Sequence, residues 1–419
     1  MRAGGPPAGR SGVSADLRPM AAPSASRLPP PPLSLYVHWP FCVTKCPYCD
    51  FNSHVRARWD DAAWRAALLA DLAHEAALTS GYRLASIFFG GGTPSLMPPA
   101  TVAAVIEAAL AHWPGEADLE ISLEANPSSA EAQRFADLAQ AGVNRISLGL
   151  QALDDEALRL LGRPHDLKQG LAALEAAQRA VPRVSIDLIH SRPGQSPAAW
   201  EAELGRALGL GVGHLSAYQL TIEPGTRFAS LAARGRLGLP GEEEAAAMLE
   251  TTETRCAGAG LLLYEVSNHA RPGEACRHNL QVWRYGAYCG IGPGAHGRRR
   301  ARATERHRRP EAFLDAIRRC GHGIARDEAV SPGQAAAEAL LMGLRLAEGL
   351  DPARFAEATG VALADAIDAQ ARHRLEALGL VQPGERLAVT RAGRALLDSV
   401  IAHLWNPGGV AMLGAEQAA

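Results

Sequence analysis

Between residues 33 and about 225 the chain alternates between two kinds of hydrophobic pattern, one of period two and one of helical period. Apolar-rich runs at 35–38, 86–89, 119–124, 145–150, 184–189 and 214–220 predict six strands. Helical patterns separate them. The first starts at Asp60, with Trp64, Leu68 and Leu72 on one face and acids at its N-terminus, where the helix dipole favours them. Others follow at 99–112, 129–141, 154–161, 168–180 and from Pro197. Six successive βα units predict the α/β class, with a parallel sheet and right-handed crossovers. Six are too few to close an eight-stranded barrel, so the expectation is an open, partial (βα)6 TIM-like barrel with its ligand face at the strands' C-terminal ends. In 119–124 the alternation sets Glu120, Ser122 and Glu124 on one face, which suits a solvated or ligand-filled interior.

Beyond 225 the rhythm changes. A helix is expected at 242–259 and a strand at 262–266, followed by two polar strings, 276–283 and a glycine-rich turn at 290–297. Helices at 332–347, 352–357 and 363–378 then lead to apolar pairs flanking Pro383-Gly384, a hairpin signal, and to a last helix at 390–403 opened by a threonine cap. Helices followed by a small hairpin predict a winged-helix-like module. Its charges (Asp365, Asp368, Arg372, Arg374, Glu376) are mixed, which favours a packing or substrate-covering role over DNA binding. The expected domains are a partial barrel at 33–225, a barrel extension at 226–325 and the winged-helix-like domain at 326–405. The Pro/Gly/Ala/Ser-rich stretch 1–32 is expected to be a disordered tail, with Met20 a second candidate start, and 406–419 a flexible one.

Composition narrows the function. The formal net charge is −2, so nothing global points to nucleic acid or an anionic membrane. Only Lys45 and Lys168 are lysines, and the arginine cluster from Arg298 to Arg309 is expected to be a solvated loop. Seven cysteines, an odd number concentrated at one end, argue against a secreted disulfide framework. With no secretory h-region and no apolar run of membrane-spanning length, a cytoplasmic location is expected.

The candidate chemistry centres on Cys42, Cys46 and Cys49, spaced C-x3-C-x2-C just after the first strand. A cubane cluster normally takes four thiolates, so three leave one iron open to a ligand that is not protein. Three bland readings stand beside that one. A structural zinc would want four ligands, a C-x-x-C redox pair would not use Cys42, and a disulfide needs an oxidising compartment. The cluster is favoured. One βα unit later, Gly90-Gly91-Gly92-Thr93-Pro94 lets backbone approach a ligand closely, or forms a plain turn. Gln151 and Asp187 fall at strand ends, and Arg163 is a candidate partner for Asp187 or for a cofactor carboxylate. His278 is a candidate haem ligand, although a lone histidine is more often a satisfied polar residue.

These strings together resemble the oxygen-independent coproporphyrinogen III oxidase family of radical S-adenosylmethionine proteins, and more closely its haem chaperone branch. The resemblance runs from about residue 33 to 404. It rests on Tyr-Val-His-Trp-Pro-Phe-Cys (36–42), Cys-Pro-Tyr-Cys-Asp-Phe (46–51), Gly-Gly-Gly-Thr-Pro-Ser (90–95), Glu-Ala-Asn-Pro (124–127), Asn-Arg-Ile-Ser-Leu-Gly-Leu-Gln (144–151), Tyr-Gln-Leu-Thr-Ile-Glu-Pro-Gly-Thr (218–226) and Gly-Ile-Gly-Pro-Gly-Ala-His-Gly (290–297).

The resemblance implies a 4Fe–4S cluster on Cys42, Cys46 and Cys49. S-adenosylmethionine would be held by Tyr36, Gly91 and Glu124. Tyr48, Gly92, Thr93, Gln151, Arg163 and Asp187 match positions lining a second S-adenosylmethionine site in the oxidase. Phe51 stands where the oxidase has a further cysteine, as in the chaperones. The string His278-Asn279-Leu280-Gln281-Val282-Trp283 matches a chaperone motif linked to haem, except that Val282 replaces a tyrosine. Ser191-Arg192 replaces the family's usual Gly-Leu, which is expected to crowd the barrel mouth beside Asp187. The implied function is haem binding and transfer to an apoprotein such as a membrane haem enzyme. The cluster and its S-adenosylmethionine would govern transfer or a ligand-dependent homodimer. The alternative is radical oxidation of porphyrinogen propionates. No nucleic-acid partner is expected.

Overall fold

A computed structural model describes residues 30–299 and 301–408, apart from the side chains of Ser129 and Ala130. The tail expected at 1–32 lies outside the described residues up to position 29, as does 409–419 of the C-terminal tail. Pro32 already begins the first strand.

Six parallel strands form the centre: β1 (Pro32–Trp39), β2 (Arg83–Gly91), β3 (Gly115–Ala125), β4 (Arg145–Gln151), β5 (Arg183–His190) and β6 (His214–Gln219). Their alternation is literal. Leu33, Leu35, Val37 and Trp39 of β1 are fully buried against the helical layer, while Ser34, Tyr36 and His38 face the interior. Ser34 and Ser86 hydrogen-bond to each other across the β1–β2 pair at 2.7 Å. Helix α1 (Asp61–Leu78) is capped by Asp60, which accepts from the Ala62 and Ala63 N–H groups, and it buries Trp64, Leu68 and Leu72. Helix α2 runs over Pro99–His112, as the sequence predicts. The expected helix at 129–141 is two short ones, Ser129–Ala132 and Phe135–Gln140.

Six further strands join the sheet: β7 (Leu262–Glu265), the strand expected at 262–266, and, beyond the sequence expectation, β8 (Asn268–Ala270), β9 (Ala287–Ile291), β10 (His296–Arg299), β11 (Arg302–Arg306) and β12 (Ile324–Ala329). The order is β12-β11-β10-β9-β1-β2-β3-β4-β5-β6-β8-β7. β9 runs parallel to β1, and the strands outside β9 and β6 are antiparallel. The glycine-rich string at 290–297 is therefore the end of β9 plus its turn into β10. Gly292 sits at φ +92°, and an added Cβ there would meet the His38 carbonyl oxygen at 2.3 Å.

The arginine cluster is not a loop but runs along β10 and β11, and while Arg302, Arg308 and Arg309 are exposed as expected, two others are buried. Arg306 is fully buried and donates to Glu75 (2.6 Å) and Asp71 (3.3 Å), while Arg299 bridges Glu75 (2.9 Å) and Asp327 (2.8 Å). Asp71 and Glu75 lie one turn apart on the buried face of α1. Asp71 also accepts from the N–H groups of Gly292 (3.1 Å) and Gly323 (3.0 Å). Each buried ion would cost several kcal/mol alone; as a network they fasten the sheet extension to α1. Arg300 lies outside the described residues.

A second apolar cluster gathers Val330 to Leu404 and takes in Tyr285. Helices Pro332–Gly343 and Pro352–Thr359 belong to it; the expected hairpin is present as one antiparallel bridge, Val381 with Val389, and Leu387 also bridges to Leu350. The helix expected at 363–378 breaks before Asp368, which caps Ala369–Ala377, and that at 390–403 divides into Arg391–Arg394 and Leu397–Leu404.

Candidate functional site

The cysteine loop leaves β1 at Pro40. Phe41 and Cys42 then pair with His54 and Val55, so residues 43–53 stand at the strand's C-terminal end. Its base is aromatic: Phe41 stacks on Trp59 at 5.0 Å, and Trp39 meets both rings edge-on. All three thiols are free, Cys42 buried and Cys46 and Cys49 half-buried. Thr93 donates to Cys42 Sγ (3.3 Å), and Arg163 donates to Cys46 Sγ (3.4 Å). Burial pushes the Cys42 and Cys49 thiols up, so thiolates here need a positive centre.

Next to the loop the backbone comes close. Gly91 has φ +116°, and a Cβ there would strike the His38 ring at 2.7 Å; one on Gly92 would meet the Phe41 carbonyl at 2.8 Å and Cys42 Sγ at 3.0 Å. The Gly91 N–H donates to Glu124 Oε2 (3.1 Å). His38 Nε2 lies 2.9 Å from the Asn52 carbonyl, which can only accept, so this nitrogen carries the proton and Nδ1 accepts from the Tyr36 hydroxyl at 3.0 Å.

Two carboxyls face this chamber. Glu124 is pushed up to about 8 by burial and then by the charge of Asp187. Asp187 is raised mainly by burial, and both its oxygens lie 3.1 Å from the Ser147 hydroxyl. Arg163 donates elsewhere, to the Gly149 carbonyl (3.1 Å) and to Asn126, and its Nε is buried without a partner. Among the described residues no ion pair reaches Glu124 or Asp187. A chamber of this kind favours a cationic ligand.

Tyr36, Gly91, Gly92, Thr93 and Glu124 therefore meet at the C-terminal ends of β1–β3, beside the three cysteines. Arg163 joins them through Cys46, Tyr48 lies against Arg163, and Asp187 interacts with Glu124 across the barrel. Gln151 ends β4 in the left-handed region, φ +67°. Asn126 is a further residue of the site, donating to Thr93 Oγ1 (3.0 Å) and accepting from Arg163. It stands inside the Glu-Ala-Asn-Pro string, but an amide has no chemistry that singles it out in sequence.

Arg192 does not crowd the mouth. It is buried, paired with Glu203, and donates to the carbonyls of Ile189 (2.9 Å) and Gln151 (3.4 Å); Glu203 also accepts from the Leu153 N–H (2.6 Å). The pair ties the ends of β4 and β5 together. Ser191 takes the left-handed conformation, φ +57°, which a glycine adopts freely.

His278 lies toward the strands' N-terminal ends, on the far side of the Tyr36 ring from His38, its own ring 6.1 Å from that of Tyr36. It opens α3 (Arg277–Trp283), where the Arg277 and His278 N–H groups donate to Glu120 at 3.0 and 3.2 Å. Its ring stacks on Phe88 at 4.8 Å, its Nδ1 is 3.2 Å from Ser86 Oγ, and burial pushes its pKa down to about 4. In this conformation the imidazole is neutral and enclosed.

The Radical SAM superfamily model matches residues 36–205, and the HemN C-terminal domain matches 330–396. The heme chaperone HemW of Escherichia coli (strain K12) is 37% identical over 380 residues, spanning 88% of this chain and 97% of its own. The chain belongs to the haem chaperone branch of the oxygen-independent coproporphyrinogen III oxidase family. A second member of this branch, heme chaperone HemW of Mycobacterium tuberculosis, is 34% identical over 92% of the chain and 98% of its own length. The bovine mitochondrial protein named radical S-adenosyl methionine domain-containing protein 1 is 42% identical over 76% of this chain and 74% of its own. Relatives of the branch thus include a mitochondrial protein. Among the described residues no helix is long and apolar enough to cross a membrane. Among solved structures, the coproporphyrinogen III oxidase HemN of Escherichia coli, described as a radical SAM enzyme, superposes with a TM-score of 0.74 at 25% identity, covering 90% of this chain and 91% of that one.

Membership in the radical S-adenosylmethionine superfamily brings a 4Fe–4S cluster and S-adenosylmethionine. The residues fit both: three free thiols on one loop, a glycine pair that excludes any Cβ beside Cys42, and buried carboxyls without a cationic partner.

Proposed function

We propose that this protein is a haem chaperone, binding haem and handing it to an acceptor protein, with Cys42, Cys46 and Cys49 carrying the cluster and S-adenosylmethionine as an exchangeable ligand. The observation that carries the reading is the full-length match to proteins named heme chaperones, 97–98% of their chains. Phe51 supports it: the side chain at the oxidase's extra cysteine position is apolar and 60% exposed.

When bound, the cluster offers S-adenosylmethionine one open iron and an electron source. The chain does the holding. Glu124 would hold the cofactor's cationic group, the bare backbone at Gly91 and Gly92 would admit it, and Tyr36 is fixed by its bond to His38. Tyr48, Thr93, Gln151, Arg163 and Asp187 wall the rest of the cofactor space. In this reading the protein works in the cytoplasm, its acceptor is a membrane haem enzyme, and ligand exchange governs a homodimer. His278 belongs to the reading as the candidate haem ligand.

The test is anaerobic reconstitution with iron and sulfide, followed by parallel haem titration and assay with coproporphyrinogen III. One haem per chain, transferable to an apo-acceptor and without porphyrinogen turnover, is the expected result. Product formation with stoichiometric release of methionine would overturn it in favour of the oxidase.

A further inference from the structure

Arg163 touches a thiol of the cysteine loop, and its surroundings hold it there. Nη1 donates to Cys46 Sγ at 3.4 Å, while Nη2 donates to the Gly149 carbonyl (3.1 Å) and to the Asn126 side chain. Nε is buried without a partner. Among the described residues Arg163 takes part in no salt bridge, and Tyr48 and Cys46 are the groups its charge lies against.

The chain around both groups sets this contact. The helix Asp155–Leu160 runs out through Leu161 into Gly162, whose φ is +65°, and the Arg163 N–H closes back on the Leu158 carbonyl at 2.9 Å. A Cβ on Gly162 would come within 2.7 Å of the Pro47 ring, so the turn packs directly on the residue after Cys46. The Pro47 carbonyl is held in turn, accepting from the Phe228 N–H at 2.9 Å. Guanidinium and sulfur are fixed separately and meet.

Cys42 is served differently. Its Sγ accepts from the Thr93 hydroxyl at 3.3 Å, a neutral donor that Asn126 holds from behind at 3.0 Å. A hydrogen bond from a charged donor is roughly twice as strong as one from a neutral donor.

We propose that Arg163 sets the reduction potential of the cluster through its charge and its N–H on Cys46, with Thr93 adding a smaller increment through Cys42. The proposal rests on the assignment of Cys42 and Cys46 as cluster ligands and goes beyond it. Reduction by one electron adds negative charge that the ligating sulfurs share. Donors on those sulfurs, and a fixed cation beside them, stabilise the reduced form more than the oxidised form and raise the potential. Burial strengthens the effect, because little water is present to screen it. Arg163 acts through Cys46 and is in this sense a positioning residue, whatever part it also has in walling the cofactor space.

The experiment is a potentiometric titration, followed by electron paramagnetic resonance, of the anaerobically reconstituted full-length chain without S-adenosylmethionine. Wild type, Arg163→Met, Arg163→Gln, Arg163→Lys and Thr93→Val are compared, with iron, labile sulfide and melting temperature measured on each. The two neutral variants should titrate below wild type by about tenfold in the reduction equilibrium, about 59 mV for a one-electron couple. Arg163→Lys keeps the charge and loses the planar fork, so it should fall between them and wild type. Thr93→Val should shift less than either neutral variant. A purely structural Arg163 would cost iron or melting temperature and leave the potential of the loaded fraction unchanged. That result in either neutral variant that loads, or a larger shift from Thr93→Val, would overturn the proposal. A Cys46→Ala chain that retains wild-type iron would instead remove the ligand assignment on which it rests.

Discussion

Glu120 and Glu124 stand on the same inward face of β3, one helical-turn's worth of sequence apart, and their surroundings differ completely. Glu120 is fully buried, yet it is held below the ordinary carboxyl range. Burial alone would raise it, but the charge of Arg145, the Arg277 N–H and the charge of Arg183 outweigh that. It accepts from Arg183 (3.2 Å), from two backbone N–H groups at the start of α3 and from the Cys276 thiol (3.4 Å). Glu124 has one backbone N–H and a neighbouring carboxyl, and is pushed up to about 8. The fold completes Glu120 and leaves Glu124 for a ligand to complete. A polar face on a barrel strand is therefore two different things at its two ends, a structural joint and a binding site.

The largest effect in the comparison comes from breaking the joint. Glu120→Ala strips Arg145 and Arg183 of their buried counter-charge and uncaps α3. Loss of one partner from a buried pair costs about 3–5 kcal/mol, so thermal or urea denaturation should report a large loss of stability. A loss under 1 kcal/mol would mean the joint is not structural.

Glu124→Gln should do the opposite to the apo-protein. A carboxyl with a raised folded pKa binds a proton on folding between its ordinary value and about 8, so wild-type stability from this group is lost as pH rises through that window. The amide removes the dependence, and the melting temperature of the variant should gain on wild type between pH 6 and pH 8.5. Its S-adenosylmethionine affinity should fall by tenfold or more, the worth of about 1.4 kcal/mol. Unchanged affinity would separate Glu124 from the cofactor.

The contrast between the two carboxylates also explains what could be read from the chain. The alternation Glu120, Ser122, Glu124 was legible because apolar residues on the other face leave only one way to seat the strand. The three cysteines were legible because their spacing has few chemical uses. What decides that Glu120 is satisfied comes from residues 145, 183, 277 and 278, which local periodicity cannot connect to it. β8–β12 escape local periodicity for the same reason. Arg299 and Arg306 read as solvent-exposed until Asp71 and Glu75, on the buried side of α1, are brought against them. The Ser191-Arg192 departure points away from the mouth because Glu203, on the following helix, captures the guanidinium. His278 was read for its string; its enclosure follows from where α3 packs.

The smallest effect tests how the joint is built. Cys276 caps the cluster of donors on Glu120, and its own thiol is pushed up to about 12 by burial and then by that carboxylate, so it stays protonated and donates. A thiol is a weak donor beside the Arg183 guanidinium, two backbone N–H groups and the charge of Arg145. Cys276→Ala should therefore cost about 1 kcal/mol or less, most of it the small space left behind, with the pH dependence of unfolding near the Glu120 titration unaltered. A loss approaching that of Glu120→Ala would shift the weight of the joint from the arginines to the sulfur, and the two ends of β3 would then differ in their packing and not in their charge.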